Sequence, residues 1–447
     1  MNRVFSINIT TNNNIENDIR YEAPDSDNSL EFEKNKYEER SKLRKDIFVG
    51  LISGNSVKVS WVKGLLLTTL IVLIGLPSTF LYTLVPAHDL IQYPEFWYEF
   101  LFHGSVLHTL RSLAFCLPAS WFMNISLMRS IRTLITVCIT SNVINTTWLI
   151  LSYYLWTHGL HFQCPIPFVG YAMYGTETLI HIVVLFLRFP RKWRQDVEFR
   201  KRMKFFVIII QYIIILDLAN TVVTQILEEY PNQYQPLMAL LFPINRELIL
   251  LIFPRFIGKT AHGDETGANI ILNYAVSAQH AIFLCHNLGS FTTNVTSWVL
   301  MSIDFSLNIL LCLQIVWREK RKTGKIDEQV SSLQHLATYE LAEFHAPLAF
   351  LLIFGMAYYG PNATLFGNIS NSYWGFIPIE DIKETIQNMF IFFFVDFCST
   401  VVSAILLWSF CRINLWKVFF VIQKEFGVTI CAIVGDFVLL VSFQYIP

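Results

Sequence analysis

Two segments of the sequence each place an aspartate in the middle of a long apolar run. Residues 216–227 read LDLANTVVTQIL, and residues 395–406 read VDFCSTVVSAIL. From Asp217 and Asp396 onward, six of the eleven aligned positions are identical. An aspartate at the centre of a membrane-spanning helix costs about 2.5–3.5 kcal/mol on an insertion scale, so it needs a partner, water or a function. The repeated pattern therefore marks both carboxylates as candidates for binding a proton or a cation.

Further ionisable residues lie near the centres of predicted apolar spans and carry a similar cost. Arg111 differs from the acids, because an arginine could grip a carboxylate or phosphate group of a substrate. His181 follows Glu177 by four positions, which places the two residues on the same face of a helix. The candidate substrate- or ion-binding residues are Arg111, Glu177, His181, Asp217, Arg246, Glu247, His280, Asp396 and Asp436.

Counting charges favours protons or cations over anions as the species that these residues bind. Five of the candidates are carboxylates, and two are arginines. If both arginines pair with acids, about three carboxylates are left over, and each must be protonated, hydrated or bound to a cation. The structural alternative is that each aspartate hydrogen-bonds to polar groups of neighbouring helices. Asp396, for example, has Ser399 and Thr400 one turn further along.

Long apolar helices are the elements that must position these residues. Hydrophobic residues make up 53% of the 447 positions and charged residues only 15%, whereas soluble domains hold about 25% charged residues. Crossing the hydrocarbon layer of a bilayer takes roughly 20 apolar residues. Because the sequence contains about eleven apolar runs of this length, it predicts an all-α polytopic integral membrane protein with about eleven transmembrane helices. The predicted spans are 62–85, 98–126, 133–155, 166–187, 205–228, 236–254, 268–290, 298–317, 342–360, 386–411 and 427–445.

Some acids fall near the ends of these spans. Asp304 lies in the outer part of the eighth span, whereas Glu340, Glu343 and His345 lie at the inner end of the ninth. On this placement, Asp304 and the two glutamates lie near opposite faces of the membrane.

The basic residues predict how the chain is threaded. Residues 1–57 are polar and lack an apolar period, so we interpret them as a disordered cytosolic tail that precedes a helical transmembrane domain over 58–447. Of the 33 Lys and Arg residues, only Arg111, Arg246 and Lys383 fall outside the segments assigned to the inner side. This asymmetry predicts a cytosolic amino terminus, and an odd number of spans places the carboxyl terminus on the extracellular or lumenal side.

The two aspartate segments also suggest an internal repeat. The fifth predicted span runs outward and the tenth runs inward, as a duplication of five spans requires. Inverted repeats of five plus five spans recur among transporters, which place the substrate site at the interface between the repeats. A repeat of this kind, with one extra helix at the end, is therefore a hypothesis for this chain.

Cysteines and short motifs argue against several kinds of site. Only Cys164 among the eight cysteines lies in a predicted outer loop, so the sequence supports neither a disulfide framework nor a zinc module. No Walker A loop is present, which argues against a nucleotide-driven pump. The net charge of −1 gives no indication of a nucleic-acid partner. Sequons at Asn294, Asn362 and Asn368 fall on the predicted outer side, where glycosylation can occur.

The function that the sequence favours is a secondary transporter or an ion-conducting protein. It would move a proton, a cation or a small solute through a carboxylate-rich site at the membrane midplane, with no resident metal or cofactor. The first alternative is a multi-pass receptor or scaffold with a ligand-binding outer surface, although the span count exceeds that of heptahelical receptors. The second is an intramembrane metal-dependent enzyme built from scattered His and Asp residues. The expected partners are the lipid bilayer and the transported species.

Overall fold

The structure is a computed structural model, and the described part of it is helical, with no strand. The larger described ranges are 131–158, 169–211, 234–244, 265–290, 294–321, 326–359 and 382–443, with gaps inside 169–211 and 234–244. Described positions also occur between 39 and 51 and singly at 66, 98 and 219.

The helices with defined bounds are numbered here in chain order. They are α1 (Ile131–His158), α2 (Val169–Arg188), α3 (Arg191–Gln195), α4 (Gln235–Ala239), α5 (Glu265–Ser290), α6 (Asn294–Arg321), α7 (Ile326–Tyr359), α8 (Ile382–Cys411) and α9 (Leu415–Phe443).

Helices α5 to α9 form a bundle with α7 in contact with the other four. α5 packs against α7, α8 and α9, while α6 packs against both α7 and α8. Residues 270–285 of α5 are buried without interruption, so this helix lies inside the bundle. The hydrophobic core draws on all five helices, and α1 and α2 pack against each other.

A tight connection at 412–414 joins α8 to α9. Arg412 has a φ of 60°, a left-handed conformation that often ends helices and that glycine adopts more readily. The backbone N–H of Ile413 donates to the carbonyl of Leu407 at 3.2 Å, which satisfies a group at the helix end. Asn414 then caps α9, because its Oδ1 accepts a hydrogen bond from the backbone N–H of Lys417 at 3.3 Å.

Helices α6 and α8 keep polar side chains inside the bundle and large apolar side chains outside. Their buried polar residues include Thr296, Asp304, Asn308, Asp396, Thr400 and Ser403. Their exposed apolar residues include Trp298, Leu310, Trp317, Phe390, Phe394 and Trp408. A soluble protein shows the reverse pattern, whereas a helix that faces lipid shows this one.

Two helices in the described part of the chain are long and apolar enough to cross a membrane. They cover Val295–Glu319 and Ile386–Cys411, and they include the eighth and tenth predicted spans. Length, composition and the outward apolar faces therefore point to a membrane location. The remaining predicted spans, and the count of about eleven, stay predictions.

Helix α7 differs from the sequence-based interpretation. The predicted spans 298–317 and 342–360 leave residues 318–341 as a connection on the inner side, but α7 begins at Ile326 and runs for 34 residues. Polar residues lower the average hydropathy of its first half and hide a buried stripe at helical spacing. That stripe consists of Val330, Leu333 and Ala337.

The predicted tail contains a helical segment. Residues 45–51 are helical, and Phe48 and Leu51 are buried as part of the hydrophobic core. Most of 1–44 lies outside the described residues. At the other end, the last predicted span forms part of α9, whose helix starts twelve positions earlier, at Leu415.

Candidate functional site

Three carboxylates from three helices meet inside the bundle. Asp304 lies on α6, Glu343 on α7 and Asp396 on α8, and each residue is at most 2% exposed. One carboxylate oxygen from each lies within 4.8 Å of those of the other two. Each residue also lies well inside its helix rather than near an end. We refer to Asp304, Glu343 and Asp396 as the acid cluster.

Two neutral donors orient two members of the acid cluster. Tyr339 Oη donates to Asp304 Oδ1 at 2.6 Å, and Asn308 Nδ2 donates to Glu343 Oε2 at 2.6 Å. These distances are short, as expected for donors that face a charged acceptor. The two bonds run in opposite directions between α6 and α7, so each helix holds the carboxylate of the other.

Asp396 has different surroundings, although it is equally buried. Both of its carboxylate oxygens are buried, and no hydrogen-bond donor in the described part of the chain reaches either one. Asn308 Oδ1 is also buried without a donor, because the amide nitrogen of the same side chain is turned toward Glu343. The buried atoms without a hydrogen-bond partner at these two residues are therefore all oxygens.

Glu340 lies on the same helix as Glu343 and is held by α8 instead. Its Oε2 accepts from Thr400 Oγ1 at 2.5 Å, and its Oε1 accepts from Ser403 Oγ at 3.0 Å. Thr400 Oγ1 is also 3.1 Å from the backbone carbonyl oxygen of Asp396, one turn earlier on α8. Both oxygens of Glu340 therefore have partners, in contrast to those of Asp396.

Helical spacing explains this arrangement. On α8, Asp396, Ser399, Thr400 and Ser403 follow the i, i+3, i+4, i+7 pattern of one helix face, and all four are buried. On α7, Tyr339 and Glu343 are four positions apart and both contact α6, while Glu340 contacts α8. One turn and a half of α7 thus supplies polar groups to both of its neighbours.

A second buried polar contact joins α5 to α7. Tyr274 Oη lies 2.8 Å from His345 Nδ1, and the two rings meet edge to face with centroids 5.9 Å apart. Which atom donates depends on the tautomer of the imidazole. Both residues are buried, and the contact joins α7 to α5 two residues after Glu343.

The structure brings one predicted site residue into the acid cluster, namely Asp396. His280 is buried on α5 and His181 is buried on α2. Glu177 and Asp436 lie on α2 and α9, and their side chains are outside the described part.

The remaining predicted residues lie outside the described side chains or outside the described chain. Asn294 is the first residue of α6, and its side chain is not among those described. The candidates outside the described residues are Arg111, Asp217, Arg246, Glu247, Asn362 and Asn368. The pairing of Asp217 with Asp396 in an inverted repeat therefore stays a prediction.

Sequence reasoning missed the approach of Asp304 to Glu343. It placed these residues near opposite membrane faces because it began the ninth span at residue 342. α6 and α7 form a hairpin that starts earlier, since Gln329 Nε2 donates to Glu319 Oε2 at 2.7 Å and Arg318 Nη1 donates to Ser332 Oγ at 3.1 Å. The apolar stripe in the first half of α7 is the sequence signal that could have indicated this earlier start.

The chain has no match among known protein families, characterised proteins or solved structures, so no relative supplies a function for the acid cluster.

Proposed function

We propose that this protein is a multi-pass membrane protein that moves protons or cations across a bilayer through the acid cluster. The observation that carries the proposal is the meeting of Asp304, Glu343 and Asp396 inside the bundle. Two of the three helices involved are the candidate membrane spans. Buried ionisable residues in such helices most often belong to ion pathways or proton relays.

The energetics of the acid cluster support a cationic species. Two unit charges 4–5 Å apart repel by about 3–4 kcal/mol at an effective dielectric constant of about 20. Three ionised carboxylates at this separation therefore destabilise one another and lose their hydration as well. The cluster is stable only when it holds protons or a cation, and exchanging that species with each side of the membrane is the elementary step of transport.

The topology that accompanies this function is the one predicted from the sequence. It has about eleven spans, a cytosolic amino terminus and an extracellular or lumenal carboxyl terminus. The glycosylation candidates Asn294, Asn362 and Asn368 then face the outer side. The distribution of lysines and arginines supports this orientation, and the outward apolar faces of α6 and α8 support contact with lipid.

Flux through the reconstituted protein tests the proposal. The full chain is inserted into liposomes loaded with a proton-sensitive dye or a divalent-cation indicator, and a potential or a concentration gradient drives entry. We expect the wild type to pass protons or a cation, and Asp396→Asn to fall to the rate of empty liposomes. Glu425→Gln changes an exposed carboxylate on α9 and should keep the wild-type rate.

Two results would overturn the proposed function. One is a folded wild type that passes neither protons nor any tested cation under either driving force. The other is an Asp396→Asn variant with the full wild-type flux, because the acid cluster would then lie off the pathway.

A further inference from the structure

We infer that the acid cluster and the side-chain carbonyl oxygen of Asn308 form a binding site for one divalent cation of the hard class, such as Mg²⁺, Mn²⁺ or Ca²⁺. The inference deepens the proposed function, on which it rests, by naming the class of substrate or coupling ion.

The unsatisfied groups at the site point to a cation rather than to a protein donor. Asp396 is 2% exposed, and neither of its carboxylate oxygens meets a hydrogen-bond donor in the described part of the chain. Asn308 is fully buried, and its Oδ1 likewise meets none. Buried acceptors are costly without a partner. One cation can contact several acceptor oxygens at once, whereas one proton satisfies only a single pair.

The distances within the acid cluster suit a single ion. The three ligand oxygens lie within 4.8 Å of one another. Oxygen ligands lie about 2.0–2.1 Å from Mg²⁺ and about 2.3–2.6 Å from Ca²⁺, so two ligands on opposite sides of one ion are about 4–5 Å apart. An ion between Asp304, Glu343 and Asp396 therefore requires little movement of the helices.

The chemistry of the ligands selects the class of ion. The acid cluster offers oxygen atoms only, from three carboxylates on three helices. Carboxylate and carbonyl ligands suit Mg²⁺, Mn²⁺ and Ca²⁺, whereas sites for zinc or copper usually include His or Cys. Three carboxylates also bring more negative charge than a monovalent cation offsets, so a divalent cation is favoured.

The neighbouring residues divide into ligands and positioning groups. Tyr339 donates to Asp304 and Asn308 donates to Glu343, so both fix a carboxylate that faces the ion. Glu340 is excluded from the ligand set, because Thr400 and Ser403 already occupy its two oxygens.

Binding of Mn²⁺ in detergent tests the inference without measuring transport. The purified full chain is stripped with a chelator and dialysed, and the loss of the free Mn²⁺ signal in electron paramagnetic resonance gives the bound amount. We expect a saturable site with one Mn²⁺ per chain, which Ca²⁺ or Mg²⁺ displaces. Glu425→Gln serves as the matched control and should bind as the wild type does.

Variants separate ligands from positioning groups. We expect Asp396→Asn to weaken Mn²⁺ binding by more than about 100-fold, because outer-shell changes typically cost only 10–100-fold and this variant replaces a charged ligand by a neutral amide. Tyr339→Phe should weaken it by about 10–100-fold, the range for a group that positions a ligand. If Asp396→Asn fails to fold, the Mn²⁺ affinity of Tyr339→Phe and the competition by Ca²⁺ still show whether the ion binds at the acid cluster.

The outcomes distinguish this inference from the proposed function. If the wild type binds no Mn²⁺ at millimolar concentration, or if the variants bind it as tightly as the wild type, the inference is wrong. Proton flux through liposomes can still occur in that case, and the proposed function then stands. Site-specific Mn²⁺ binding without any flux would instead support the cation site and overturn the proposed function.

Discussion

At the residue scale, Asp396 and Glu340 show two different uses of a buried carboxylate. Glu340 accepts from two hydroxyl groups of α8, so its burial is explained by a contact between helices. Asp396 has no such donor in the described part of the chain. One face of α8 thus donates hydrogen bonds to Glu340 of α7 but leaves the Asp396 carboxylate on the same face without a donor among the described residues. This arrangement is expected when an external cation completes the site.

The donor role of Thr400 leads to a prediction about stability. Thr400→Val keeps the shape of the side chain but removes the hydroxyl that Glu340 accepts. A buried acceptor left without its partner costs about 1–3 kcal/mol, so we expect a lower melting temperature in detergent for this variant.

Thr338→Val is the matched control for this measurement. Thr338 is also fully buried, but its hydroxyl donates only to backbone carbonyls of its own helix, those of Gln334 and His335. Its removal should change the melting temperature little. Equal melting temperatures for the two variants would show that the Thr400 hydroxyl does not stabilise the buried Glu340 carboxylate.

The sequence predicted Asp396 as a site residue but not Asp304 or Glu343. Asp396 was predicted because it lies in the middle of an apolar run long enough to span a bilayer. Glu343 was assigned to a span end because the average hydropathy of the preceding residues is low. Proximity between Asp304 and Glu343 depends on the register of a helix hairpin, which a single sequence specifies only through a short apolar stripe.

At the element scale, α7 organises the bundle and contains a proline one turn after Glu343. Pro347 lies inside this helix. Proline has no backbone N–H, so the usual donor to the carbonyl of the residue one turn earlier is missing, and that residue is Glu343. Interrupted helices at a membrane site are a recurrent feature of transporters, because the irregular backbone lines a cavity.

We predict that Pro347→Ala changes stability and cation binding in opposite directions. Alanine restores the helical hydrogen bond to Glu343, so the melting temperature in chelator should rise. A straighter α7 displaces the Glu343 carboxylate, and Mn²⁺ binding should weaken by about tenfold, the low end of outer-shell effects. Unchanged Mn²⁺ affinity in the stabilised variant would show that Pro347 does not position the Glu343 carboxylate for the ion.

At the scale of the whole molecule, composition and run length alone predicted the helical class, and two of the described helices qualify as candidate membrane spans. The described helices overlap the predicted spans in every described region where a span was expected. Helix ends were harder to predict, as α7 and α9 show, because hydropathy reports contact with lipid and not the continuation of a helix beyond it. The inverted repeat depends on Asp217, which lies outside the described residues.

The proposed transport through the acid cluster requires that α7 cross the membrane together with α6 and α8. α7 is not one of the two helices that qualify by length and composition. It nevertheless contacts both of them, and its carboxylate Glu343 meets Asp304 and Asp396 well inside their helices. Three acids that meet at one depth place the middle of α7 in the same layer as the middles of its neighbours.

Epitope tags on the two sides of α7 test this arrangement in cells. A tag inserted at 322–325 should be cytosolic, and a tag inserted at 361–381, beside the sequons of Asn362 and Asn368, should be extracellular or lumenal. If the protein is at the cell surface, antibody added to intact cells should reach only the tag at 361–381. If the protein lies in an internal membrane, selective permeabilisation of the plasma membrane should let antibody reach only the tag at 322–325. Melting temperatures equal to that of the untagged protein control for misfolding. Two tags on the same side would show that α7 does not cross the membrane, and a transport site at Glu343 would then have no physical basis.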